Sequence, residues 1–220
     1  DVSLQLLLED IDRYAKEGDG PQLKTALLEA GDNNQEPFHI AKIWFRTFFH
    51  CIPTLAIDQL GPSSIKKDLN KPIKLDQQFD IVINFGTGEH IFNVYQLYKS
   101  IHEWTKPSGF MLHGQPMSGF LNHGFFNINP TFIFDLARSN NYKNLATMNV
   151  DISDSLEFTQ LMHLEDSYKL TKDRPLPIRS LLYSFLQKEG CNSEFKIPQQ
   201  TFYDSDARSE EVKTLWQANR

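Results

Sequence analysis

Cysteine is scarce: Cys51 and Cys191 are the only two in 220 residues, and neither stands in a C-x-x-C pair. A disulfide framework or a thiolate zinc site needs more thiols at closer spacing, so neither is expected, and a reduced, cytoplasmic setting fits. No run of about 18 apolar residues occurs, which excludes a membrane-spanning helix on length. Basic residues are also in deficit. Lys and Arg number 22 against 28 Asp and Glu, and the net charge of −6 disfavours general nucleic-acid binding. The histidines His39, His50, His90, His102, His113, His123 and His163 form no H-x-H pair and no H-E-x-x-H helix, so no metal site is expected. G-x-S-x-G, a P-loop and a well-formed G-x-G-x-x-G are missing too, which removes the usual signals of acyl transfer and of nicotinamide binding. No basic region followed by an apolar stretch opens the sequence, and the chain starts at Asp1 rather than Met, which leaves targeting open.

What is present is an ordinary globular composition, 40% hydrophobic and 23% charged, at a length that suits one domain. The most informative stretch runs from Phe79 to Pro116. Phe79–Asn84 carries Ile81, Val82 and Ile83 and reads as a short buried strand. Gly86 and Gly88 break it, and from His90 to Trp104 apolar residues recur at helical spacing. Lys106-Pro107-Ser108-Gly109 stops the helix and turns into a second short strand, Phe110–His113. The whole is a βαβ unit.

The ordered set Asp80, Glu89-His90 and Lys106-Pro107-Ser108-Gly109 resembles the middle of class I S-adenosylmethionine-dependent methyltransferases, with Ser108 in place of one glycine. The resemblance implies a Rossmann-like, doubly wound α/β fold: a mostly parallel seven-stranded sheet with an antiparallel last strand and helices on both faces. It implies S-adenosylmethionine as cofactor. Thr25–Asn33 then aligns with the motif in which a strand ends in an acidic residue and a glycine turn, making Glu29 and Gly31 cofactor-binding candidates; the same stretch also reads as a helix over Gln22–Ala30 capped by Gly31. Thr54–Ile57 is expected as the second strand, with Asp58 at its carboxyl edge to accept hydrogen bonds from the ribose hydroxyls. Ile65–Asn70 is expected as the third, with Asp68 and Leu69 toward the adenine, although a turn or helix cap reads equally well there. Asn84 and Gly86 complete the cofactor set.

Beyond the central unit, Gly114–Asn127 reads as a long loop rich in glycine, aromatics and amides, of the kind that forms a lid. His123 is the candidate general base and His90 a second catalytic candidate. Glu89, His113, Phe125, Phe126 and Asn127 are candidates for the acceptor pocket; Glu89 reads equally as a cap of the following helix, and the aromatics as loop anchors. The remaining expectations are an amphipathic helix within 1–20, a buried helix over Phe38–Phe49, a helix over Thr131–Ser139 and a sixth strand at Leu145–Val150. After these come an insertion over 151–177 with a short helix near Leu156–Leu164, a seventh strand at Ile178–Leu186, and a tail with a terminal helix over 188–220. The expected function is methyl transfer to a small-molecule acceptor. The alternative is a catalytically inactive methyltransferase-like domain serving as a structural or regulatory subunit, a reading that the depleted glycine turn favours.

Overall fold

The computed structural model of the chain describes residues 2–32, 43, 45–48, 50, 55–58, 64–153, 156–170, 172, 175–191 and 193–219. They fall into two compact units, Asp1–Asp68 and Leu69–Arg220.

In the first unit the leucine-rich start folds into α1 (Val2–Tyr14) and, after the turn at Gly18, α2 (Gly20–Asp32). Ile11, Leu23, Leu27 and Ile43 form its buried centre, with Leu8 and Ala15 packed against them. Arg46 grips Asp19 with two hydrogen bonds of 3.0 Å. The strand and glycine turn expected at Thr25–Asn33 are therefore corrected to helix over residues 25–32. Thr25-Ala-Leu-Leu-Glu-Ala holds strong helix formers and no β-branched run, so propensity and the burial of Leu23 and Leu27 agree. Residues 45–48 of the expected helix Phe38–Phe49 are helical, and 33–42 lie outside the described residues. The expected second and third strands reduce to an isolated parallel bridge between Ile57 and Ile65; Thr54 lies outside the described residues.

The second unit is built on one sheet in the order β1-β2-β5-β3-β4. β1 (Phe79–Phe85) and β2 (Thr105–Ser118) are parallel and joined by α3 (Val94–Trp104), so the expected βαβ unit is present. α4 (Pro130–Ser139) leads into β3 (Tyr142–Asp151), and β5 (Ser180–Lys188) lies antiparallel between β2 and β3. β4 (Glu157–Gln160) forms the far edge, antiparallel to β3. This five-stranded mixed sheet, in which only β1 and β2 pair in parallel, replaces the expected seven-stranded, mostly parallel one. All three missing strands were expected before residue 71, where the described residues hold helix and an isolated bridge instead, and β4 is an additional strand.

Three local differences have physical reasons. β2 runs through Lys106-Pro107-Ser108-Gly109, but the pairing jumps there from Phe79–Thr105 to Ile81–Phe110, with Ser108 at φ +61°. The proline and the turn residues thus sit in an irregularity, where a missing N–H is tolerated. Gly114–Ser118, expected in the loop, extends the strand because Gln115, Pro116 and Met117 are buried against β5. The helix expected near Leu156–Leu164 is β4 followed by α5 (Leu164–Lys169), whose start His163 caps from an exposed position. α6 (Glu210–Ala218) ends the unit, capped by Ser209.

Buried polar groups fasten β5 to the end of α3 and the tail to α4. The Lys188 ammonium, 2% exposed, donates to the carbonyls of His102 and Thr105 (2.9 and 3.0 Å) at the C-terminal end of α3, where the helix dipole favours a cation. Asp135 accepts from the backbone and hydroxyl of Thr201.

Candidate functional site

The carboxyl ends of two neighbouring parallel strands, with the turns that follow, are where open α/β sheets hold ligands. Here β1 ends at Phe85 and passes through Gly86 (φ +61°) into a 3-10 turn, Gly88–His90, before α3 begins at Val94. β2 ends at Ser118 and passes into the loop 119–129. The two turns lie against each other: Glu89 O accepts from Phe125 N (2.7 Å) and Phe126 N (3.2 Å). The loop is thus hydrogen-bonded onto the turn rather than hanging free.

Gly124 makes this approach possible, since a Cβ placed on it would lie 2.8 Å from the Glu89 carbonyl oxygen. Backbone cannot give way as a flexible side chain can. Gly124→Ala is therefore expected to cost about 1–3 kcal/mol of stability, by the rule for overpacked sites, measured by denaturant unfolding; an unchanged midpoint would show that the loop has room to shift.

Glu89 is the centre of the arrangement. Its side chain is 1% exposed, its Oε1 lies 3.5 Å from His123 Nε2 and 3.8 Å from His90 Nε2, and its Oε2 has no hydrogen-bond partner. The two imidazoles lie 4.9 Å apart between centroids, tilted by 56°, and both are about half-exposed. Helix capping is not Glu89's task, because Asn93 caps α3 by accepting from Gln96 N. Asn93 is itself tied to Asn70 by hydrogen bonds of 2.9 and 3.1 Å.

Beneath Glu89 lies a buried polar layer from β1, α3 and β2. Asn84 Oδ1 accepts from Gly88 N (3.0 Å), so its Nδ2 donates to His113 Nδ1 (3.2 Å). That leaves the His113 proton on Nε2, which is buried without a partner, as is Gln115 Nε2. Tyr98 Oη donates to Gln115 Oε1 at 2.6 Å; burial pushes the Tyr98 pKa up and so keeps the phenol protonated, a shift opposed by that hydrogen bond and reinforced by the charge of Glu89.

Burial pushes the His113 imidazole down from its ordinary 6.5 to about 4. The unfolded chain binds this proton near pH 6.5 and the folded chain only near 4, so stability present at neutral pH is lost as pH falls through that window. The gap corresponds to about 3 kcal/mol. Denaturant unfolding from pH 7 to 4 is expected to show a decline that His113→Gln flattens; an equal decline in the variant would assign it to other groups.

Aromatic rings surround the turn. Phe92 meets Phe125 edge-on at 5.8 Å and Phe126 at 6.3 Å, while Phe120 lies 5.5 Å from His123 and carries Arg179 over its face at 4.8 Å. Phe92 and Phe125 are nonetheless 72% and 65% exposed.

Of the residues singled out from the sequence, the structure brings together Asn84, Gly86, Glu89, His90, His113, His123, Phe125 and Phe126 around these two turns; Asn127 is exposed in the same loop. Glu29 and Gly31 lie in α2, Asp58 is exposed and Asp68 half-buried, all in the first unit, and Leu69 is buried at the start of the second. Asp80 and Lys106, which carry part of the resemblance, pair with each other at 2.9–3.0 Å between the amino ends of β1 and β2, away from the site. Gln115 and Tyr98 were missed by sequence reasoning. An alternating polar position in an otherwise apolar strand is the signal that marks Gln115.

No helix among the described residues is long and apolar enough to cross a membrane. Comparisons with protein-family models, with curated proteins and with solved structures each found no match.

Proposed function

We propose that the turns around Glu89 belong to the site of an S-adenosylmethionine-dependent methyltransferase acting on a small-molecule acceptor. The observation that carries this reading is Glu89, a buried carboxylate just past the end of a parallel strand, with no Lys or Arg ion-paired to it among the described residues. An anionic group withdrawn from water and lacking a fixed cation favours a positively charged ligand centre. The sulfonium and ammonium groups of S-adenosylmethionine are such centres. The residues present suit this charged half in one respect: the Gly86 backbone lies directly beside the carboxylate, since a Cβ built on it would be in ordinary contact with Glu89 Oε1 at 3.8 Å.

The donor, when bound, supplies a methyl group already activated for transfer, so the chain's own part is to position the acceptor, shield it and take its proton. His123 takes that proton at Nε2, and Glu89 Oε1, 3.5 Å away, steadies the imidazolium that results. Phe92, Phe125 and Phe126 provide an apolar wall over the acceptor. Calorimetric titration of the 220-residue chain with S-adenosylmethionine and S-adenosylhomocysteine tests the reading. Saturable binding of both is expected, and absence of binding by either at millimolar concentration would overturn it.

A further inference from the structure

We infer that Glu89, His90 and His123 form a binding site for a divalent transition-metal ion of the Zn2+ type. The inference goes beyond methyl transfer and does not depend on it. Sequence spacing conceals the site, because Glu89 and His90 are adjacent and His123 arrives from the loop after β2.

One ligand atom from each residue lies within 4.8 Å of the others. The two shortest separations known are the most telling: both Nε2 atoms approach the same oxygen, at 3.5 and 3.8 Å. Ligands about 2.0–2.2 Å from a tetrahedral zinc lie about 3.3–3.6 Å apart, so the two carboxylate–imidazole edges are already near those of a tetrahedron, and closing the third requires the two half-exposed rings, whose ligand atoms lie within 4.8 Å, to draw together. Two imidazoles and a carboxylate suit Zn2+, Co2+ or Ni2+ rather than Mg2+ or Ca2+, which prefer oxygen. The carboxylate is held in place by its burial and by the hydrogen bonds that Phe125 and Phe126 make to its own backbone, while the imidazoles remain reachable from solvent. Three protein ligands leave a fourth position for water or for an oxygen or sulfur of a bound molecule, the pattern of a reactive site rather than a structural one. Ion and proton compete for His123 Nε2, so the loaded form has no free base at this position, and Zn2+ should inhibit any reaction that uses one.

The test uses the full chain after chelator treatment, titrated with Zn2+ by calorimetry and with Co2+ by visible absorption, in the absence of any methyl donor. One equivalent is expected to bind, with Co2+ ligand-field bands of the tetrahedral type. Loss of an outer-shell partner alone lowers metal affinity about 10–100-fold, so His90→Ala and His123→Ala should each weaken binding at least tenfold and abolish the bands. Both rings are about half-exposed, so these variants should fold; circular dichroism checks this. Absence of binding in the wild-type chain, or binding unchanged in the His90→Ala/His123→Ala double variant, would overturn the site while leaving the methyl-donor titration to be judged separately.

Discussion

Glu89→Gln is expected to abolish methyl transfer while leaving the melting temperature unchanged or higher. The amide keeps the shape of a side chain that is 1% exposed, but removes the charge that the cationic centre of the proposed donor would meet. A hydrogen bond to a charged partner contributes about 1.5–3 kcal/mol, so donor affinity should fall roughly 10–100-fold. Turnover should fall further, because His123 also loses the charge that steadies its protonated form. Stability should not follow, since Asn93 rather than Glu89 caps α3, and replacing a buried carboxylate that has no fixed cation relieves a desolvation penalty. Site residues that are costly to the fold behave in this way. Calorimetry, a turnover assay and thermal melting on the same preparation check it; a large drop in melting temperature with donor affinity retained would make Glu89 structural.

The second large effect is at His123. If its imidazole removes the acceptor's proton, His123→Asn should lower the maximal rate by about 10² or more and leave donor affinity intact. Its surroundings support a base: Nε2 lies 3.5 Å from Glu89 Oε1, and the ring is about half-exposed rather than sealed in the core. The hydrogen bonds from Phe125 and Phe126 to Glu89 O hold the loop in place without help from His123, so the variant should keep its stability. A rate within a few-fold of wild type would remove His123 from the chemistry. His90→Asn provides the comparison, because its Nε2 is farther from Glu89 Oε1 at 3.8 Å.

How much of this was legible in the chain depends on the kind of signal. The β1–α3–β2 unit was legible, because Ile81-Val82-Ile83 and the helical spacing up to Trp104 impose different periods on adjacent segments. An antiparallel last strand was also expected, but only as part of the resemblance; the burial that places β5 against β3 falls on Ser180, Ser184 and Lys188 as well as Leu182 and Leu186, an alternation that residue type does not reveal. The first glycine turn was misread, because a resemblance was followed where local propensity already pointed to helix in α2. β4 was misread as helix because a four-residue strand is too short to show its period, and its partner β3 decided the outcome. Glu89, His90 and His123 were each named, but the contact between them was invisible. It arises from two turns brought together by parallel pairing of strands and by a glycine, Gly124, small enough to allow close approach. The same contact explains why reading the histidines by sequence spacing alone gave no expectation of a metal site.

The most direct measurement of whether these turns hold a methyl donor is a crystal structure of the chain with S-adenosylhomocysteine. The proposal predicts the amino-acid end of the ligand beside Gly86 and Glu89, with its sulfur facing His123 across the acceptor space under Phe92 and Phe125. A ligand bound elsewhere, with Glu89 and Gly86 untouched, would contradict it.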